Sequence, residues 1–173
     1  MQDNPSSHLS RLVSSLIEAK AVTIPVTVDG LESFYQNVFS SQPWSMIVHL
    51  GVNATERNRI AFELVAFNCT ASLETAIDEE GPELLPSSFP LHEQRVHDWM
   101  CRNAGEVCWS RSAGTYFCNE LYYTSLWKMR QQTPMTATQI IFIHVPMIER
   151  DSSDMSRVAQ TIASFIALFE EGK

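Results

Sequence analysis

The sequence predicts an α/β fold, a three-layer α/β/α sandwich around a mostly parallel central sheet. Segments with apolar residues at helical spacing alternate along the chain with short apolar runs that are typical of buried strands. Several of these runs are almost continuously hydrophobic, as strands covered on both faces are. Hydrophobic residues make up 45% of the 173 residues and charged residues 18%, so we expect a single globular domain over residues 1–173.

The first half of the chain begins with a predicted helix. Asn4-Pro5-Ser6 supplies a polar cap and a proline in the first turn, and the apolar residues that follow recur at helical spacing. A second helix is predicted over 31–39. Strands are predicted over 21–28, 45–50 and 60–67, and Pro25 indicates an edge position or a bulge in the first of them.

The second half begins with a predicted long loop over 70–90, where three prolines occur and the hydrophobic pattern has little periodicity. After this loop, helices and strands alternate again. Helices are predicted over 91–103, 119–132 and 153–171, and strands over 106–110 and 139–145. No internal repeat interrupts this order.

Charge and cysteine content exclude several classes of function. The net charge is −8 and no basic run is present, which excludes a nucleic-acid partner. No apolar stretch is long enough to cross a bilayer, so no membrane association is expected. The first residues show no basic segment followed by an apolar core. The four cysteines form no CxxC pair, which indicates a reduced, cytoplasmic protein.

Two segments together indicate a cysteine nucleophile. Cys118 follows a small-residue turn, Ala113-Gly114, and stands where a helical pattern begins. His144 ends the apolar run Ile-Ile-Phe-Ile, at the carboxyl end of a strand, where α/β proteins gather their reactive groups. A helix N-terminus and a nearby imidazolium both favour a thiolate. The alternative is that each is structural, since most cysteines of this kind are buried fillers and most lone histidines are structural.

Glu63 is the candidate for a third group that orients the imidazole. It stands among apolar residues, in Ile60-Ala-Phe-Glu63-Leu-Val-Ala-Phe67, and a buried charge requires a partner. The pattern fits equally well a strand with one face in solvent. The other histidines are assigned no catalytic role: we expect His49 to be structural and His8, His92 and His97 to be solvated. The remaining cysteines, Cys69, Cys101 and Cys108, are expected to be small apolar fillers.

Several motifs, in register along the chain, resemble the pyroglutamyl peptidase I family of cysteine peptidases. Ser110-Arg-Ser-Ala-Gly-Thr-Tyr-Phe-Cys118-Asn119 is similar to the family pattern Ser-x-Asp-Ala-Gly-x-Tyr-x-Cys-Asn/Asp, and His144-Val-Pro146 to its later strand end. Asn4-Pro5-Ser6, Ile24-Pro-Val26 and His49-Leu-Gly-Val52 also resemble family segments, as does Glu63 with an Asn five positions later, at Asn68. The resemblance covers nearly the whole chain.

The resemblance implies an exopeptidase that removes N-terminal pyroglutamyl (5-oxoproline) residues from peptides. It implies a triad of Cys118, His144 and Glu63, substrate binding by Val52 and Phe117, and no metal or organic cofactor. Asn68 is expected to be a structural or polar-site residue. The expected partners are peptides with an N-terminal pyroglutamate, and the sequence leaves the oligomeric state open.

The chain departs from the family pattern at three places. The family's first strand and its glycine-aromatic loop have no counterpart before Asn4, so we expect that strand to be missing from the sheet. The loop between Asn68 and Gly81-Pro82 is shorter than usual and lacks an expected arginine, and Ser112 replaces an aspartate. The alternative function is therefore a catalytically inactive, truncated homologue that binds peptides or proteins. A thiol hydrolase with a different acyl specificity is a weaker option.

Overall fold

The computed structural model describes residues 4–41, 43–53, 58–70, 75–132, 138–150 and 152–169. It confirms the predicted α/β fold with a mostly parallel central sheet. Helices are α1 (Pro5–Leu16), α2 (Val28–Asn37), α3 (Gln94–Arg102), α4 (Phe117–Gln131) and α5 (Ser153–Ala167), with a 3₁₀ turn at Phe39–Ser41. Strands are β1 (Met46–Val52), β2 (Ile60–Glu63), β3 (Val65–Phe67), β4 (Leu84–Pro86), β5 (Val107–Ser110) and β6 (Gln139–Val145).

The central sheet has the order β1-β6-β2-β5. The pairs β1–β6 and β2–β5 are parallel, whereas β2 and β6 are antiparallel. Six of the seven residues of β6 are buried, which agrees with a strand that has a neighbour on each side and a helical layer on each face. Strands β3 and β4 form a separate antiparallel pair.

Two apolar cores lie on opposite faces of the sheet. One contains side chains of α1, α3 and α5, packed against Ile141 and Ile143 of β6. The other contains side chains of α2 and α4, packed against Ile140 and Phe142. Successive residues of β6 thus serve alternate cores, as the period of a strand requires. No helix in the described ranges is long and apolar enough to cross a bilayer.

The strand predicted over 21–28 is wrong. Residues 18–27 form no strand, and α2 begins at Val28, where Thr27 caps it by accepting a hydrogen bond from the Gly30 N–H at 3.1 Å. Pro25 lacks the N–H that a strand would use for pairing. Its backbone packs closely on Gly30 of α2, where an added Cβ would lie 2.4 Å from the Pro25 carbonyl oxygen. The apolar side chains of this segment line a groove beside β1, and its backbone belongs to no sheet in the described part.

The loop predicted over 70–90 is wrong in one part. Leu84–Pro86 forms β4 and pairs with Val65–Phe67, and its central residue Leu85 is completely buried. The strand predicted over 60–67 is interrupted at Leu64, so that β2 belongs to the central sheet and β3 to the separate pair. The other elements agree with the sequence to within a few residues at their ends. The last helix ends at Ala167, four residues before the end of its predicted range, 153–171. Residues 170–173 lie outside the described part.

Candidate active site

The carboxyl ends of β1 and β6 meet the first turn of α4. Gly51 of β1 and His144 of β6 are direct register partners, and Cys118 is the second residue of α4. The thiol approaches the β1 backbone closely: a Cβ on Gly51 would lie 3.1 Å from Cys118 Sγ and 2.8 Å from Cζ of Phe142. Only glycine leaves room for the sulfur and this ring together. The predicted cysteine and histidine are thus brought to one place.

Glu63 approaches the same histidine from β2. Its Oε1 lies 2.7 Å from His144 Nδ1, and its side chain is completely buried. In the antiparallel β2–β6 pair, Glu63 stands opposite Phe142 and Ala61 opposite His144. Residues two apart on a strand share a face, so Glu63 and His144 both project towards α4. Of the two alternatives that the sequence left open for Glu63, the structure shows the buried, paired one.

The charge state of His144 follows from these neighbours. Burial lowers the pKa of the imidazole, but hydrogen bonds to Cys118 and Glu63 and their negative charge outweigh burial and raise it to about 9. A histidine with such a pKa carries a proton at neutral pH. It therefore presents an imidazolium to the sulfur on one side and to a buried carboxylate on the other. This arrangement suits a thiolate nucleophile.

A groove of about 1190 Å³ opens beside the sulfur. Cys118, Gly51 and the two predicted substrate-binding residues, Val52 and Phe117, lie together at one end of it. The rest of the groove follows β1 towards Met46, between α1 and α2. Both predicted binding residues thus line the same cavity as Cys118, and this cavity is larger than most ligand pockets.

Comparisons with known proteins identify the family of the chain. A model of the pyroglutamyl peptidase family matches residues 4–164. The chain belongs to the pyroglutamyl peptidase family. A pyrrolidone-carboxylate peptidase of Brevibacillus brevis is 25% identical over 175 residues, which cover 92% of this chain and 79% of the relative.

Solved structures share the fold. Pyroglutamyl peptidase I of Bacillus amyloliquefaciens superposes with a TM-score of 0.71 at 22% identity, covering 94% of this chain and 88% of the other. The pyrrolidone carboxyl peptidase of Thermus thermophilus gives 0.70 at 24% identity and covers 97% and 92%. Membership of this family supports a peptidase.

Two supporting residues of this family member were not singled out as site residues from the sequence. Asn119, next to the thiol, is completely buried and joins α4 to β3: it accepts from the Phe67 N–H at 2.9 Å and donates to the Phe67 and Cys69 carbonyls at 2.8 and 3.1 Å. Tyr122, one turn later, donates to the backbone carbonyl of Glu63 at 3.0 Å. Two features of the sequence could have indicated them: Asn119 directly follows Cys118, and Tyr122 lies four positions after Cys118.

The other histidines behave largely as expected. His49 is buried, and no acidic side chain among the described residues pairs with it. Its Nε2 lies 3.0 Å from Ser125 Oγ, and burial lowers its pKa to about 3. His92 and His97 are exposed, and His8 is half-buried. A neutral, buried His49 fits the structural role that the sequence predicts for it.

One cysteine prediction is wrong. Cys101 is not an apolar filler: it is exposed on α3, with its sulfur 3.8 Å from His97 Nδ1, because its position on the helix faces away from the core. Cys69 and Cys108 are half-buried. Asn68 has a structural role, because its side-chain oxygen accepts from the N–H groups of Ile77 and Asp78 and its amide donates to the Asp78 and Gly81 carbonyls.

Proposed function

We propose that this chain is a cysteine exopeptidase that removes N-terminal pyroglutamyl residues from peptides. The observation that carries the proposal is the continuous contact from a completely buried Glu63 through His144 to Cys118, at the mouth of a groove. A buried carboxylate needs a partner, and here its partner is the imidazole beside the thiol. Membership of the family supplies the substrate class.

In the proposed reaction, the Cys118 sulfur attacks the carbonyl carbon that joins the lactam residue to the rest of the peptide. The thiol proton resides on His144 and passes to the leaving amine nitrogen as the C–N bond breaks, which leaves a thioester on Cys118. Water then attacks the thioester carbon, His144 takes a proton from it, and the C–S bond breaks to release 5-oxoproline. The products are 5-oxoproline and a shortened peptide with a free amine, and the Cys118 thiolate and His144 imidazolium are regenerated.

Glu63 has a positioning role in this proposal. Its Oε1 accepts from the Nδ1–H of His144, which fixes the tautomer and directs Nε2 towards the sulfur. Tyr122 in turn holds the Glu63 backbone. A carboxylate that is completely buried and hydrogen-bonded keeps one orientation, so the imidazole stays aligned through both steps of the reaction.

The developing oxyanion is assigned to the first turn of α4. Tyr116 precedes the helix and makes no side-chain capping hydrogen bond. The N–H groups of the first turn have no partner within the helix, and that of Cys118 lies beside the reacting carbonyl. The lactam carries no charge, so it suits a pocket of apolar side chains such as Phe117 with backbone hydrogen bonds from Val52.

The test is hydrolysis of a fluorogenic pyroglutamyl amide under reducing conditions by the purified chain and by two variants. Cys118→Ala is expected to abolish turnover, whereas Cys101→Ser, an exposed cysteine on α3, is expected to leave it unchanged. Far-UV circular dichroism and urea unfolding check that all three proteins are folded. Equal turnover by Cys118→Ala, or no turnover from a monodisperse and cooperatively folded wild type, would contradict the proposal.

A further inference from the structure

A buried polar contact outside the triad joins α4 to β1. Nε2 of His49, on β1, lies 3.0 Å from Oγ of Ser125, on α4, and both side chains are buried. Tyr35 of α2 joins the same contact: its hydroxyl donates to the Leu121 carbonyl at 2.9 Å and lies 3.3 Å from Ser125 Oγ. These hydrogen bonds link α2, α4 and β1 within an apolar core, where an unpaired polar group is costly.

The order of the protons in this contact makes His49 a neutral donor. The Tyr35 proton is used on the Leu121 carbonyl, so the Tyr35 oxygen accepts the proton of Ser125. The Ser125 oxygen then accepts from the Nε2–H of His49. Burial lowers the pKa of His49 to about 3, so the ring transfers no proton near neutral pH. Any role in the reaction therefore comes from what this ring holds in place.

The same two elements meet again at the nucleophile. On β1, Gly51 follows His49 by two residues, so both positions face α4. On α4, Cys118 precedes Ser125 by seven residues, which is two turns, so both face the sheet. The Cys118 sulfur lies against Gly51, where an added Cβ would be 3.1 Å from it. The helix is thus held on the strand at two points, and the thiol is one of them.

The polar point restricts the position of the other. The two points are about 10 Å apart along α4, and a helix keeps this distance rigidly. Apolar contacts are non-directional, so they resist sliding or rotation of α4 on the sheet less sharply than a hydrogen bond does. The bond between His49 and Ser125 has a restricted length and angle, and therefore keeps the Cys118 sulfur over Gly51.

A row of rings connects His49 to the catalytic imidazole. His49 and Phe142 are register partners in the β1–β6 pair, and the centroids of their rings are 5.9 Å apart. The Phe142 ring lies 4.7 Å from the His144 ring on its other side. His49 therefore supports the thiol through Ser125 and the imidazole through Phe142.

We propose that His49 is a positioning residue, which keeps Cys118 and His144 in their reactive geometry through its contacts with Ser125 and Phe142. This rests on the proposed function. A misplacement of about 1 Å can cost roughly a hundredfold in rate, so loss of this one hydrogen bond is expected to lower kcat by about tenfold. KM should change by less than about twofold, because the Ser125 side chain is completely buried.

Three variants separate the hydrogen bond from the ring packing. His49→Phe keeps a ring beside Phe142 and removes the nitrogen, Ser125→Ala removes the hydroxyl, and His49→Gln places an amide nitrogen near the position of Nε2. The matched control is Ser164→Ala. It removes a comparable bond, in which Trp99 Nε1 donates to Ser164 Oγ at 3.2 Å, in the core on the other face of the sheet.

The assay measures kcat and KM for a pyroglutamyl dye amide, together with urea unfolding. We expect kcat to fall about tenfold in His49→Phe and in Ser125→Ala, to return to within about threefold of the wild type in His49→Gln, and to stay unchanged in Ser164→Ala. A kcat within about twofold of the wild type in Ser125→Ala, or an equal loss in Ser164→Ala, would overturn the inference. Ser125→Ala is the smallest change and decides the test if His49→Phe does not fold.

Alkylation of Cys118 separates this inference from the proposed function, because it needs no substrate. The rate of reaction with iodoacetamide at Cys118, located by mass spectrometry, is measured from pH 5 to pH 9. A sulfur displaced from the His144 imidazolium is less often a thiolate, so the rate at pH 6 should fall about threefold or more in Ser125→Ala and stay unchanged in Ser164→Ala. If the wild type cleaves no pyroglutamyl substrate but shows this difference, the proposed chemistry fails and the positioning role stands. Identical alkylation profiles in the wild type and Ser125→Ala would overturn the positioning role.

Discussion

Replacement of Glu63 by Gln tests the role of the buried carboxylate with little change of shape. Oε1 accepts from the imidazole at 2.7 Å, and Oε2 has no hydrogen-bond partner among the described residues. The amide of Glu63→Gln keeps the accepting oxygen in place and puts its NH₂ group where Oε2 was. The substitution thus removes the charge, and leaves a buried donor without an acceptor.

Two magnitudes follow. A hydrogen bond to a charged group contributes about 1.5–3 kcal/mol, so the free energy of unfolding should fall by about that amount. General acid–base catalysis contributes about 10²–10⁴-fold, and kcat/KM should fall within this range, which corresponds to about 3–5 kcal/mol of transition-state stabilisation. The pKa of His144 should also fall, because burial lowers it and one of the groups that raise it is lost.

The assay is kcat/KM for a pyroglutamyl dye amide from pH 5 to pH 10, together with urea unfolding. The matched control is Glu106→Gln, a carboxylate in a half-exposed ion pair, 2.8 Å from Arg157 Nη1. The control should lose less than about 1 kcal/mol of stability and no activity. If Glu63→Gln keeps wild-type kcat/KM, with an alkaline limb at the same pH as the wild type, the carboxylate does not orient a catalytic imidazole.

Three further predictions follow from the same contacts. Gly51→Ala should lower the free energy of unfolding by about 1–3 kcal/mol, because the added methyl group meets Phe142 and Cys118. It should lower kcat by a larger factor than it raises KM. Unchanged urea unfolding and unchanged kinetics would contradict this. Asn119→Ala should lower the free energy of unfolding by about 3 kcal/mol, because a completely buried side chain loses three hydrogen bonds. A loss below about 0.5 kcal/mol in urea unfolding would refute this. The stabilisation by His144 should be complete below pH 6.5 and disappear as pH rises through about 9, because its pKa is raised in the folded state. Relative to His144→Asn, the wild type should therefore lose on the order of 3 kcal/mol of advantage between pH 6 and pH 9.5; a constant difference would contradict the sign.

Elements that depend on local pattern could be predicted from the sequence. The cap at Asn4, the amphipathic spacing of α1 and the continuous apolar run of β6 are determined by neighbouring residues, and the structure reproduces them. The meeting of Cys118 and His144 could be predicted as well, because helix starts and strand carboxyl ends converge in an α/β sheet.

Features decided by distant residues could not be predicted in this way. Glu63 is buried because His144, far along the chain, supplies its partner. The apolar alternation over 21–28 indicates extended backbone, but a strand also needs a neighbouring edge, and none in the described part pairs with it. Leu85 belongs to a strand only because β3 lies beside it. Strand pairing is a property of two segments, so one segment's composition does not determine it.

The central position of β6 has a consequence for synthesis of the chain. β6 lies between β1 and β2, and its last residue follows the end of β1 by roughly ninety residues. At about 5–20 residues per second, a ribosome needs on the order of ten seconds to progress from one strand to the other. During that time β1 has no partner among the described strands of the central sheet, because its neighbour there is β6, whereas β2 can pair with β5 alone. The complete sheet therefore forms late, when most of the chain has left the ribosome, and nascent chains stalled before Gln139 should lack it.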